Sequence, residues 1–346
     1  MLIYIFLPLI LIPAIFVKNK SLSCLWCGVI LFLVSALSFN AEINDFYSRI
    51  ASVSVSALSL LDAPPGFIYF SKFFSLFIPD FRLFYILLCF VNTFGTMLYI
   101  NKYCYYPAPS AITLVITGGW FVALSEPVLY IGILFAAFAF RYASEKRFVR
   151  FAVLMLFGSC FFPLLLFVIP IYIVAALKPR MAYIIFAAAA GTALLLLDCS
   201  ELFNLLKIET HTAYPFYEHF PILSISVCVL VLITKKIVVR RGQYNETMIT
   251  AAIISAALSM GAINDPRFFI FAFICFFPAG LTLIPEIVSV IKALISLTFK
   301  DKKRPLLIMG TVILAALAVL LYGNILLTNP YGGIPFETWF GMEAIQ

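Results

Sequence analysis

The chain has 346 residues, of which 64% are hydrophobic, 16% aromatic and only 11% charged, and its mean hydropathy is +1.10. That is about half the charge of an average soluble domain, too little to cover a water-facing surface, so a soluble enzyme is excluded. The net charge of +7 is spread in short clusters between apolar runs and forms no single stripe, which argues against a nucleic-acid partner.

The apolar runs have helical length and no alternating pattern, and a lipid-embedded backbone must satisfy its own hydrogen bonds, so α-helices are expected over a β-barrel. The fold class is therefore an all-α polytopic membrane protein, one domain over 1–346. In chain order the segments are 1–17, 21–39, 82–100, 109–124, 127–143, 148–159, 161–177, 181–198, 219–237, 246–262, 267–290 and 305–327. That makes about twelve transmembrane helices. The first lacks a basic flank and a small-residue cleavage site, so it is expected to be a retained crossing. Segment 40–81 is a long loop with an amphipathic stretch, a Pro-Pro-Gly break and a half-length apolar run from Phe67 to Ile78, expected to be interfacial or re-entrant. Between 148 and 177 two short helices must turn near Ser159 to Pro163, as two crossings or a re-entrant hairpin. Most cysteines lie in apolar runs as small hydrophobes, and the Cys24–Cys27 pair has no second pair or histidine nearby, so no metal site and no cofactor are expected.

Loop charge orients the segments. Lys18, Lys20, Lys102, Arg141, Lys146, Arg147, Arg150 and the clusters at 178–180, 235–241 and 292–304 fall on one side, which the positive-inside rule assigns to the cytoplasm. Arg49, Lys72, Arg82, Lys207 and Arg267 share the opposite face with most of the acids. Both termini should then face outward, and the outer segments 40–81, 199–218 and 328–346 are where function is expected.

Ionisable groups at membrane boundaries persist where a site needs them. Asp45, with Tyr47 and Arg49, follows the second crossing and reads either as a solvated loop carboxylate or as a base beside the bilayer. Arg82 opens the third, snorkelling to headgroups or binding a lipid phosphate. Glu126, in Leu-Ser-Glu-Pro, is expected near the hydrocarbon edge, as a turn cap or an active-site carboxylate. Asp265 and Arg267 form a turn-capping ion pair, or Arg267 offers its fork to a diphosphate. In THTAYPFYEHF, Tyr217 is a candidate for stacking on a sugar, and His211 and His219 are weak metal candidates. No GxGxxG, Walker A, GxSxG or HExxH pattern occurs, so a donor already in the membrane is expected over a nucleotide-sugar.

Three stretches resemble the EpsG-like family of bacterial polysaccharide polymerases, allied with Wzy-type O-antigen polymerases. They are Asp45-Phe46-Tyr47 with the following PPGFIYFSKFFSLF and FRLFYILLCFVNTFGTMLYINKYC; the SEPVLYIGIL helix with its basic loop and helix pair; and DPRFFIFAFICFFPAG. PPGFIYFSKFF is similar to the family's "EPGFYLLNKLF"-type segment, with Ala63 in place of its acid. Glu126-Pro127-Val128 stands where the family often has Arg-Gln, and Cys160-Phe161-Phe162-Pro163 where it often has a histidine, so only Asp45, Tyr47 and Arg267 transfer. The resemblance implies an inner-membrane glycosyltransferase joining undecaprenyl-diphosphate-linked oligosaccharide repeats at the periplasmic face. Asp45 would be the base, and Arg267, Arg82 and Arg49 would hold the diphosphate. Its partners would be that glycolipid, membrane lipids, a chain-length regulator and a flippase. Two other readings stay open: a polyprenyl-phosphate-sugar transferase adding one sugar, and a flippase or transporter, for which charges near the midplane and internal repeats are expected.

Overall fold

The computed structural model describes residues 2–38, 41–53, 63–175, 181–196, 201, 219–238 and 243–298, and every regular element among them is helical. The expected crossing at 305–327, the tail 328–346, His211 and Tyr217 lie outside the described residues. In order the helices are α1 (Leu2–Leu11), a 3-10 turn (Ile12–Phe16), α2 (Lys20–Ala36), α3 (Ala41–Ser52), α4 (Pro65–Ser75), α5 (Phe81–Tyr103), α6 (Pro107–Ile116) and α7 (Gly119–Ser125). They continue with α8 (Pro127–Ser144), α9 (Phe148–Phe161), α10 (Leu165–Ala175), α11 (Met181–Leu196), α12 (Phe220–Val238), α13 (Gln243–Gly261) and α14 (Phe268–Thr298).

Local chemistry sets many of the starts. Asn19 accepts from the main-chain N–H groups of Ser21 (3.0 Å) and Leu22 (3.3 Å), and Asp80 from that of Arg82 (2.8 Å), so each caps a helix. Pro65, Pro107 and Pro127 each open a helix, where a fixed φ and a missing N–H cost nothing. The expected crossing at 109–124 is broken: Gly118 has φ 77°, and α6 and α7 meet at a bend of 65°. A left-handed residue is cheap only for glycine, which makes this break a property of one position.

Among the described residues, three helices are long and apolar enough to cross a membrane, α5, α8 and the first part of α14, or four if α6 and α7 form one bent span. The twelve crossings expected from hydropathy are not reached. Window averages overlook such breaks: the expected span 109–124 is divided at Gly118 into helices of 10 and 7 residues.

One such piece is a hairpin. Phe135 of α8 stacks with Phe161 near the end of α9 (6.3 Å), while Tyr172 of α10 meets both Phe140 (4.7 Å) and Phe151 (6.4 Å). So α9 runs up α8, turns at Phe162–Leu164, and α10 returns toward the basic loop. That is the turn expected near Ser159 to Pro163.

Two cores hold the bundle. The larger joins α1, α2 and α5–α14 around Trp120, Tyr130, Phe140, Tyr172 and Phe273. The smaller lies under α3 and α4. Ile43, Phe46, Tyr47 and Ile50 share one face of α3, at helical spacing, and pack on Phe67, Phe84 and Leu88. Lys72 of α4 donates to the carbonyls of Ile50 (3.2 Å) and Val53 (2.8 Å), capping α3 from its neighbour. A Cβ on Gly66 would stand 2.8 Å from the Cys160 carbonyl oxygen, so α4 lies directly on the α9 end of the hairpin.

Candidate functional site

An aromatic layer supplies the reference level. Phe277 of α14 meets Tyr99 of α5 (6.3 Å) and Tyr130 of α8 (5.7 Å), and Trp120 of α7 meets Tyr130 (6.5 Å). The three long helices run parallel through it, with their N-terminal ends on the same side. At 1.5 Å per residue, Arg82 stands about 25 Å along α5 from that layer, Arg267 about 15 Å along α14, and Glu126 about 6 Å along α8. The expected ionisable groups are therefore tiered on one side of the layer. Lys102 and the basic α8–α9 turn lie on the other.

Glu126 is deeper than its loop position suggested. Asn92 Nδ2 donates to the Pro127 carbonyl at 3.0 Å, and the Thr96 and Tyr130 hydroxyls meet at 3.0 Å, so α8 begins level with the middle of α5. The boundary position expected from sequence gives way to one about 16 Å below the start of α5. Half-buried between α7 and α8, Glu126 uses its N–H on the Val122 carbonyl (2.9 Å) and its carbonyl on Tyr130 N–H (2.9 Å). Its side chain makes no cap bond, and it sits at the positive end of the α8 dipole.

Asp265 and Arg267 form a buried pair at the start of α14, their side chains 7% and 8% exposed. Arg267 Nη2 reaches Asp265 Oδ2 at 2.7 Å and Nε reaches Oδ1 at 2.9 Å, while Oδ1 also accepts from Arg267 main-chain N–H at 2.9 Å. Of the two readings of this Asp-Pro-Arg turn, the ion pair is the one the geometry forms. The carboxylate closes the turn and, with both oxygens engaged, orients the guanidinium.

The remaining candidates sit on the top tier. Asp45 and Arg49 are exposed on α3, with Arg49 Nε donating to the Asp45 main-chain carbonyl (3.3 Å). Arg82 is exposed at the start of α5. Tyr47, expected to touch substrate, is buried instead: its ring stacks on Phe84 (4.1 Å) and its hydroxyl donates to the Ile78 carbonyl. Burial, helped by Asp80, raises its pKa above the ordinary tyrosine value, so the phenol stays a donor. Such a tyrosine pins α3 to the start of α5. His219 is exposed just before α12. Cys24 and Cys27 are buried, with the Cys24 thiol on the Met97 carbonyl at 3.4 Å.

Asn92 was missed from sequence, although an asparagine amid apolar residues is a signal in itself. It is 2% exposed and anchors the segment that carries Glu126. No family model, curated protein or solved structure matches the chain.

Proposed function

We propose that the chain is a Wzy-type membrane glycosyltransferase that polymerises undecaprenyl-diphosphate-linked oligosaccharide repeats. The observation that carries this reading is the placing of Glu126 and the Asp265–Arg267 pair inside the helix bundle, on the side of the aromatic layer away from the basic loops. Charged groups are expensive there and persist chiefly where a substrate needs them. The depth of Glu126 also meets the expectation set for a flippase or transporter, which product analysis separates from a polymerase. In this reading Glu126 takes the proton from the acceptor hydroxyl. That oxygen bonds to the anomeric carbon of the donor, whose bond to the diphosphate breaks, and the lipid diphosphate leaves with the electron pair. Arg267, oriented by Asp265, neutralises the charge on the departing diphosphate. Arg49 and Arg82, exposed on the upper tier, receive the diphosphate headgroup before transfer, and Asp45, the base that the resemblance implies, instead accepts from the sugar hydroxyls beside them.

The same reading has about twelve crossings in a bacterial inner membrane, with basic loops in the cytoplasm and both termini in the periplasm. A chain-length regulator and a flippase would work beside it. Complementing a deletion strain with Arg267→Lys tests it, because lysine keeps the charge and loses the fork. The expected result is single-repeat glycolipid with no long polymer. A wild-type ladder would remove Arg267 from the mechanism.

A further inference from the structure

At the basic end of the molecule, α5, α8 and α9 line an open cavity of about 330 Å³. Its walls carry Lys102 at the end of α5 and Arg150 in the first turn of α9, and aromatic rings support both cations. Lys102 Nζ lies 5.3 Å from the centre of the Tyr103 ring, and the Arg150 guanidinium carbon 5.7 Å from that of Tyr142. Phe138 and Leu154 complete an apolar interior, and no carboxylate among the described residues lines the cavity. The nearby acid in the α8–α9 turn, Glu145, is engaged by Arg141 at 2.8 Å and Arg147 at 3.5 Å. Two held cations without a countercharge call for an anion.

The surroundings say what kind. Val149, 78% exposed, and Phe148, 53% exposed, alternate with Lys146, Arg147 and Arg150 on the same turn. Large apolar side chains left open beside cations fit a turn at the boundary between headgroups and hydrocarbon. The first N–H groups of α9 have no partner within the helix and add partial positive charge at the same place. A free anion would use the cations and leave the Phe138–Leu154 interior empty, whereas a lipid fills both.

We propose that this cavity binds an anionic glycerophospholipid of the leaflet next to the basic loops. Lys102 and Arg150 take the phosphate, and the upper parts of the acyl chains lie on Phe138, Val153 and Leu154. The site is separate from the glycosyl-transfer reading and stands without it.

The test is association of spin-labelled phosphatidylglycerol with the full-length protein in phosphatidylcholine bilayers, measured as the motionally restricted fraction. Wild type should hold phosphatidylglycerol in preference to labelled phosphatidylcholine. The Lys102→Gln/Arg150→Gln variant should lose that preference, on the order of fivefold for each cation removed. Lys20→Gln, which removes an exposed cation of the same end that does not line the cavity, should keep it. Equal association of the two lipids with wild type would overturn the proposal without reference to any variant. So would an intact preference in the double variant. Displacement of the lipid by millimolar inorganic phosphate would overturn the role of the apolar interior.

Discussion

Arg267 shows why a single substitution has to be chosen with the pair in mind. Removing one partner of a buried ion pair leaves the other uncompensated, so Arg267→Ala should lower stability by about 3–5 kcal/mol, and lost activity in that variant would say little about chemistry. Thermal unfolding of the purified variant checks this, and an unchanged midpoint would mean that water reaches Asp265 freely. Lys146 is a different case. It has φ 58° at the end of α8, where its N–H donates to the Ala143 carbonyl (3.0 Å) and that of Arg147 to Tyr142 (2.9 Å). This is the Schellman closure, in which the left-handed position favours glycine. Lys146→Gly should therefore raise stability by about 1 kcal/mol or somewhat less, seen as a higher midpoint. The ion pair was among the readings of the sequence, but its burial and the left-handed Lys146 were not, because neither depends on residue type alone. An Asp-Pro-Arg turn can splay or close, and a lysine after a helix is ordinarily a loop charge.

The helices were legible where side chains mark their ends and obscure where a neighbour sets their place. Apolar runs located the starts of α2, α5, α6 and α8 within a few residues, and the Pro-Pro-Gly break that of α4. Basic loops at both ends of 148–177 demanded a turn, and α9 and α10 make one. Hydropathy averages over about twenty residues, so it could not register Gly118 or the bend it permits. Nor could it place Glu126, since the depth at which α8 starts comes from Asn92 on another helix. Segment 40–81 was expected to carry an amphipathic stretch and an interfacial or re-entrant run, and the fixing of α4 to the hairpin adds a requirement for Gly66. Gly66→Val would push side-chain carbons into the Cys160 carbonyl, against backbone that cannot step aside, and should cost about 1–3 kcal/mol. Full stability in that variant would mean that α4 rides free of α9.

Taken whole, the molecule is polar at two ends for different reasons. Beyond the aromatic layer on one side stand a deep carboxylate, a buried ion pair and exposed charges on α3 and α5. On the other stand cations stacked on tyrosines. The alternation of loop charge anticipated this asymmetry, but the positive-inside argument counts residues and cannot rank them by depth. Cysteines introduced at Ser48 and Lys146 should accordingly react with impermeant reagents from opposite faces of sealed vesicles. Labelling of both from one face would invert or collapse the proposed topology. The function itself is open to a more direct measurement: polymer length made by the purified protein in proteoliposomes supplied with lipid-linked repeats, for wild type, Glu126→Gln and Asp45→Asn. The proposed mechanism predicts a ladder from wild type and none from a Glu126→Gln protein that unfolds at the wild-type midpoint, with a shortened ladder from Asp45→Asn. A full ladder from Glu126→Gln, or none from wild type, would contradict it.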